Sequence, residues 1–236
     1  MVIDDTAYYV SEIFESIQGE GNYAGVYCLF IRFHFCNFSC IWCDTKYTWT
    51  EKSGHFSKYT AEELKEIINN CMCYHIVFTG GEPTFYRLDK LAVEGKHFHV
   101  ETNGTIIPSE KLDFKLKDGT IVKRDAMEFN ILEQFNWVVS PKLLNSHQEF
   151  NENSIDFWAK HKINIFKFII KSSSDIVEIE NVITKYKINR FKVYIGIEGK
   201  TLQSQLQPEL VDLIIQKGFN FSPRLHIIIW GERRRK

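Results

Sequence analysis

A repeating rhythm of short apolar runs and helical stretches constrains this chain most. Runs with strand character are "VYCLFIRF" (26–33), "HIVFT" (75–79), "HFHVET" (97–102), "WVVSP" (137–141), "IFKFII" (165–170), "FKVYIGI" (191–197) and "LHIIIW" (225–230). Helical patterns lie between several of them, at 60–70, 85–94, 152–161, 175–187 and 207–217. The first is the best defined, because Thr60 followed three residues later by Glu63 forms a capping box. Strands alternating with helices at this spacing predict βα units and a mostly parallel sheet. One stretch breaks the rhythm: "FKLKDGTIVKR" (114–124) alternates about Asp118-Gly119, the signature of a β-hairpin. Residues 108–134 therefore read as an insertion on an α/β core. With no repeat, low-complexity tract or linker, the 236 residues read as one domain.

Bulk properties narrow the class. A hydrophobic share of 44% is enough for a real core, and a net charge of −1 gives no field directed at nucleic acid or membrane. The opening "MVIDDTAYY" is acidic, where a secretory signal needs a basic start. No apolar stretch approaches the roughly 20 residues that span a bilayer. The expectation is a cytoplasmic protein that binds neither membrane nor nucleic acid. The closing "RRRK" reads as a solvated tail, with an anion contact as the alternative.

Cys36, Cys40 and Cys43 crowd into one aromatic-rich stretch, "IRFHFCNFSCIWCDTKYTW". In a reducing compartment clustered cysteines are metal ligands or catalysts more often than disulfides. A structural zinc site wants four ligands, and His34 is the available fourth. A 4Fe–4S cubane is the alternative: cysteines would hold three of its irons and leave the last open to an external ligand. Cys28, Cys71 and Cys73 read as small buried hydrophobes.

The spacing Cys-x3-Cys-x2-Cys resembles the signature of radical S-adenosylmethionine enzymes, and "FTGGEPTF" (78–85) resembles their Gly-Gly-Glu element at a strand end. "FESIQGEG" (14–21), "CDTKYTW" (43–49), "ETNGT" (101–105), "SPK" (140–142) and "SPRLHIIIWG" (222–231) narrow the resemblance to the 7-carboxy-7-deazaguanine synthase family. That resemblance implies a shortened, partial (β/α) barrel of TIM type. It also implies conversion of 6-carboxy-5,6,7,8-tetrahydropterin to 7-carboxy-7-deazaguanine with loss of ammonia, through a radical made from the cofactor. The implied cofactors are a 4Fe–4S cluster, S-adenosylmethionine and Mg2+. The implied partners are the pterin, a second copy in a homodimer and an external electron donor such as flavodoxin.

Site residues follow from the same resemblance. Cys36, Cys40 and Cys43 would ligate the cluster and Thr45 the magnesium. Trp42, Asp44, Gly80, Gly81, Glu82, Gly104, Ser140, Pro141, Lys142, Ile195, Gly196, Ile197 and Glu198 would hold the cofactor. Ile17, Gln18, Gly19, Glu20, Gly21, Arg32, Thr102 and His226 would meet the substrate, with Arg32 on its carboxylate. Strand alternation places Arg32 at the end of an inward row with Val26, Cys28 and Phe30. The hairpin insertion would cover the pocket or extend the dimer contact. Two rival readings stay open: a radical activase acting on a partner protein, and a zinc-stabilised binding module without chemistry.

Overall fold

The computed structural model describes residues 1–148, 152–161 and 165–236. Among them the strands, in chain order, are β1 (Val2–Ile3), β2 (Tyr8–Ile17), β3 (Tyr27–Phe33), β4 (Ser57–Tyr59), β5 (His75–Gly80), β6 (His97–Thr102), β7 (Leu112–Lys115), β8 (Ile121–Arg124), β9 (Asn136–Val139), β10 (Ile165–Ile170), β11 (Val193–Ile197) and β12 (Asn220–Phe221). The helices are α1 (Ala61–Asn70), α2 (Phe129–Leu132), α3 (Glu152–Lys160), α4 (Ser173–Lys185), α5 (Leu202–Gln205), α6 (Pro208–Gln216) and α7 (Leu225–Trp230).

Nine strands share one sheet in the order β12-β11-β10-β9-β6-β5-β3-β2-β4. From β3 to β12 the neighbours are parallel and follow chain order, while β2 runs antiparallel to β3 and β4. This is the winding of a (β/α) barrel that stops short of closure, as expected. Alternation sorts the side chains onto two faces. Outward residues such as Phe78, Val100, Trp137 and Phe168 form the main core with Leu64 and Ile68 of α1, Trp158 of α3 and Ile179 of α4. Inward residues Cys28, Phe30 and Val77 form a second, small cluster with Phe14 and Val26. The predicted inward row of β3 is therefore present, and Arg32 continues it, 5.7 Å from the ring of Phe14.

The capping box at Thr60 and Glu63 forms as read, and so does the hairpin. Leu116 N donates to Thr120 O at 2.7 Å around a turn in which Gly119 takes φ +93°, a left-handed conformation suited to glycine. With β1 the hairpin makes a separate three-stranded sheet.

Four expectations need correction. β2 was not foreseen as a strand, although it is the longest one. The run 225–230 is helix α7 and not a strand: a short apolar run without alternation suits either state, and here Leu225 N bonds Gly19 O across the barrel. Residues 85–94 hold only short 3-10 turns, because Phe85, Tyr86, Leu88 and Leu91 are all buried and would point to every side of an α-helix. The insertion does not cover the cavity described below. It braces the strand that carries Gly-Gly-Glu instead, for buried Arg124 donates to Thr84 O, Pro108 O and Asp125 O at 2.7–2.9 Å.

Candidate active site

The C-terminal ends of the parallel strands open into a cavity of about 280 Å3. Catalytic and ligand-binding groups of α/β barrels gather at this end. Two segments build its metal-binding wall. Beyond β3, the chain turns through Phe35, a non-glycine residue at φ +72°, into the cysteine loop. Cys36 N bonds Trp49 O, Ile41 N bonds Ser146 O and Cys43 N bonds Cys40 O, so the loop is fixed along its length. Cys36, Cys40 and Cys43 are free thiols, and all three line the cavity.

The two glycines at the end of β5 explain how that loop sits so close. A Cβ on Gly80 would lie 2.2 Å from Phe33 O, and one on Gly81 would lie 2.0 Å from Phe35 O. Gly81 N and Glu82 N bond those same carbonyls at 3.0 and 2.7 Å. Gly-Gly is therefore more than a turn: it lets one strand end press its backbone against the start of the cysteine loop while its own backbone faces the cavity.

His34 fails as a fourth ligand. It is fully buried, with Nδ1 2.8 Å from Ser11 Oγ and Nε2 2.7 Å from Thr50 O, so both ring nitrogens are engaged away from the thiols. Burial pushes the Cys36 and Cys40 thiols up; ligation to iron is the step that deprotonates such thiols. A donor set of three cysteines on one wall fits a cluster with one open iron better than a closed zinc tetrahedron.

Charge is concentrated elsewhere in the lining. Glu20, its side chain 11% exposed, takes an ion pair from Lys167 and a 2.7 Å hydrogen bond from Arg224 Nε, while Arg224 Nη2 reaches Asp44 at 2.8 Å. Burial alone would raise the Glu20 carboxyl, but the Lys167 and Arg224 charges hold it well below the usual range. Gln18 Nε2 and Thr79 Oγ1 donate to Glu101 at 3.2 and 3.0 Å. Nearer the rim, buried Glu12 accepts from Arg32 Nε at 3.1 Å, Tyr47 OH at 2.8 Å and Arg234 Nη2 at 2.7 Å. The guanidinium of Arg234 also lies 3.8 Å from the Tyr47 ring centre. The terminal basic run is thus folded along the cavity and is not a free solvated tail. Basic side chains outnumber acidic ones in the lining, which suits an anionic ligand.

Most sequence-predicted residues meet here. Ile17, Gln18, Gly19 and Glu20 line the cavity, as do Arg32, Thr102 and His226. So do Trp42, Asp44, Thr45, Gly80, Gly81, Ser140 and Lys142, with Lys142 Nζ 5.4 Å from the Trp42 ring centre. Others lie behind the wall. Glu82 is buried, bonded to Thr84, to Thr102 Oγ1 at 2.7 Å and to Asn103 N at 2.8 Å. Gly21 N is bonded to Ser222 Oγ, and Gly104 O to Trp158 Nε1. Pro141 and Ile195, Gly196, Ile197 and Glu198 are not brought to the lining, Glu198 N being tied to Ile170 O.

Sequence reasoning missed Glu12, Glu101, Lys167 and Arg224. Lys167 carried a signal, as the lone charge in "IFKFII". Arg224 stood inside a quoted motif without a role. Glu12 was hidden because β2 was not read as a strand, and a register irregularity between Val10 and Glu12 disturbs its alternation.

Comparison with known proteins points the same way. Residues 30–123 match the model of the Radical SAM superfamily. Over 239 residues the chain is 30% identical to the 7-carboxy-7-deazaguanine synthase of Pyrobaculum aerophilum, with 96% of each chain covered. It is 27% identical to the 7-carboxy-7-deazaguanine synthase of Rhodopirellula baltica, covering 98% of this chain and 89% of that one. In fold it is similar to the crystal structure of QueE from Escherichia coli, with a TM-score of 0.68 at 22% identity over 93% of this chain and 95% of that one.

Proposed function

Since the chain belongs to the 7-carboxy-7-deazaguanine synthase family, we propose that the cavity at the barrel mouth is where it converts 6-carboxy-5,6,7,8-tetrahydropterin to 7-carboxy-7-deazaguanine with loss of ammonia. The observation that carries this placement is the sharing of one cavity by Cys36, Cys40, Cys43, Gly80, Gly81 and Arg32. The three cysteines are read as ligands of a 4Fe–4S cluster whose open iron takes S-adenosylmethionine. When bound, the two together supply the radical that abstracts hydrogen from the pterin.

The chain's own residues position the reactants and exclude water. Arg32 is read as the partner of the substrate carboxylate. Its Nε is committed to Glu12, and its Nη groups have no hydrogen-bond partner among the described residues, so a bidentate donor pair remains for the ligand. Trp42, Asp44, Gly80, Gly81, Ser140 and Lys142 are read as the cofactor wall. Ile17, Gln18, Gly19, Glu20, Thr102 and His226 are read as the substrate wall. Glu82, Gly104 and Ile195 to Glu198 are kept as cofactor residues that would act through the backbone they support. Thr45 lines the cavity, its hydroxyl 3.5 Å from Cys43 Sγ, and is read as the protein ligand of Mg2+.

A homodimer and an external electron donor such as flavodoxin rest on the resemblance, and a cytoplasmic location on the sequence reading alone. Among the described residues no helix is long and apolar enough to cross a membrane.

The test is a pair of single variants in the reconstituted enzyme. Arg32→Lys keeps the charge and loses the planar fork; the expected result is a roughly 10- to 100-fold fall in kcat/KM, matching about 1.5–3 kcal/mol of charge-assisted hydrogen bonding. Reductive cleavage of S-adenosylmethionine should persist in that variant. Thr45→Val should abolish the response of turnover to added Mg2+. Unchanged kcat/KM in Arg32→Lys would remove Arg32 from the substrate site.

A further inference from the structure

The opposite end of the barrel carries a second cluster of ligand-type side chains. His75 opens β5, and His97 and His99 lie on β6; the register pairs His75 with His97 and Val77 with His99. Side chains two residues apart share a face, so all three imidazoles lie on the inner face with Cys28 and Val77. One ring nitrogen from each lies within 4.8 Å of the other two. His75 Nδ1 is 2.8 Å from His99 Nε2, and His99 Nδ1 is 3.0 Å from the side-chain amide of Asn136 on β9. His97 Nε2 is buried with no hydrogen-bond partner. The Tyr23 ring closes the end of the barrel, 4.4 Å from His99 and 5.5 and 5.6 Å from His75 and His97.

We propose that His75, His97 and His99 bind a divalent transition-metal ion that favours imidazole, zinc foremost, at the N-terminal end of the barrel strands. Three imidazoles within reach of one point, with a ring nitrogen left without a partner, form a donor set that lacks only its ion. Such a set leaves one tetrahedral position for solvent. Burial and the neighbouring imidazoles push His99 down to about 3, and burial lowers His75 and His97 too, so each ring is neutral and able to donate a lone pair at neutral pH. Asn136 completes the arrangement. On metal binding the Asn136 amide, whose Nδ2 lies 3.0 Å from His99 Nδ1, would turn its oxygen to that nitrogen and free Nε2, which lies 2.8 Å from His75 Nδ1, for the metal, the usual support of a ligating histidine. The ion would tie the starts of β5 and β6 to each other, beneath the 3-10 turn Gly21–Tyr23 that follows Glu20 directly. The site is separate from the cysteine loop, which leaves the other ends of the strands.

Cobalt tests this without interference from the loop. In the chain carrying Cys36→Ala, Cys40→Ala and Cys43→Ala, titration with Co2+ should saturate at one ion per chain. It should give visible bands of a four-coordinate nitrogen-rich site and no thiolate charge-transfer band, and Zn2+ should displace the cobalt. His97→Gln and His75→Gln, added singly to that background, should abolish the bands while leaving the circular dichroism unchanged. In the iron-reconstituted wild-type enzyme, elemental analysis after zinc exposure should find one zinc per chain beside the iron. No stoichiometric cobalt in this background without the three loop cysteines would overturn the proposal whether or not the histidine variants fold. So would cobalt bands with thiolate character, or binding that survives both histidine substitutions.

Discussion

Gly81 sets the tightest steric condition in the site. Its missing side chain leaves room for Phe35 O where a Cβ would come within 2.0 Å of backbone, which cannot yield as a flexible side chain would. Gly81→Ala should therefore displace the cysteine loop: we expect iron incorporation to fall to a small fraction of wild type on reconstitution, with far-ultraviolet circular dichroism nearly unchanged. Glu20 makes an electrostatic prediction at the same scale. Its folded-state pKa is depressed, so its contribution to stability is fully present above the usual value of 4.5 and is lost as pH falls through the lower folded value. Glu20→Gln leaves Lys167 and Arg224 without their shared carboxylate and should cost about 3–5 kcal/mol at neutral pH. It should also flatten the fall of stability below pH 4.5, read from urea unfolding midpoints across a pH series. A variant with the same acid slope as wild type would show that the carboxylate is not held by those charges.

At the scale of elements, the hairpin sheet and the helix caps carry distinct loads. Arg124 ties the hairpin to Thr84 O, two residues after Glu82, and to Pro108 O and Asp125 O. Arg124→Met would take a donor from each of these carbonyls and leave those of Thr84 and Asp125 without their side-chain partner, and the expected loss is about 3 kcal/mol, with faster proteolysis within 108–124. Thr60→Ala removes the cap of α1 and should cost only about 1 kcal/mol, a shift of roughly 2–4 °C in Tm. The same contrast explains which elements could be read from sequence. The parallel strands announce themselves because both faces are covered, giving the mostly apolar runs of β5, β10 and β11. The α1 cap is local chemistry within four residues. β2 is harder, since Glu12 and Ser16 interrupt a strand whose partners lie elsewhere in the chain. α7 is harder still, because a six-residue apolar run fits strand or helix and only the bond from Leu225 N to Gly19 O decides between them.

For the whole molecule, the barrel places its chemistry at one end and its histidine cluster at the other, with the Cys28, Phe30 and Val77 cluster between them. The cysteine loop, the Gly-Gly element and the Gln18-Gly19-Glu20 stretch were legible as motifs because their spacing is local. The ion-pair network of Glu20, Lys167, Arg224 and Asp44 was not, since its members come from four segments up to 204 residues apart that only the winding of the sheet brings together. One cavity is expected to hold both a three-cysteine cluster and the pterin. This is tested most directly by anaerobic reconstitution with iron and sulfide, then incubation with S-adenosylmethionine, dithionite, Mg2+ and 6-carboxy-5,6,7,8-tetrahydropterin, followed by mass spectrometry. The wild-type chain should form 7-carboxy-7-deazaguanine, and Cys40→Ala should not. A colourless protein holding zinc on its cysteines, or cofactor cleavage with no 7-carboxy-7-deazaguanine, would contradict this.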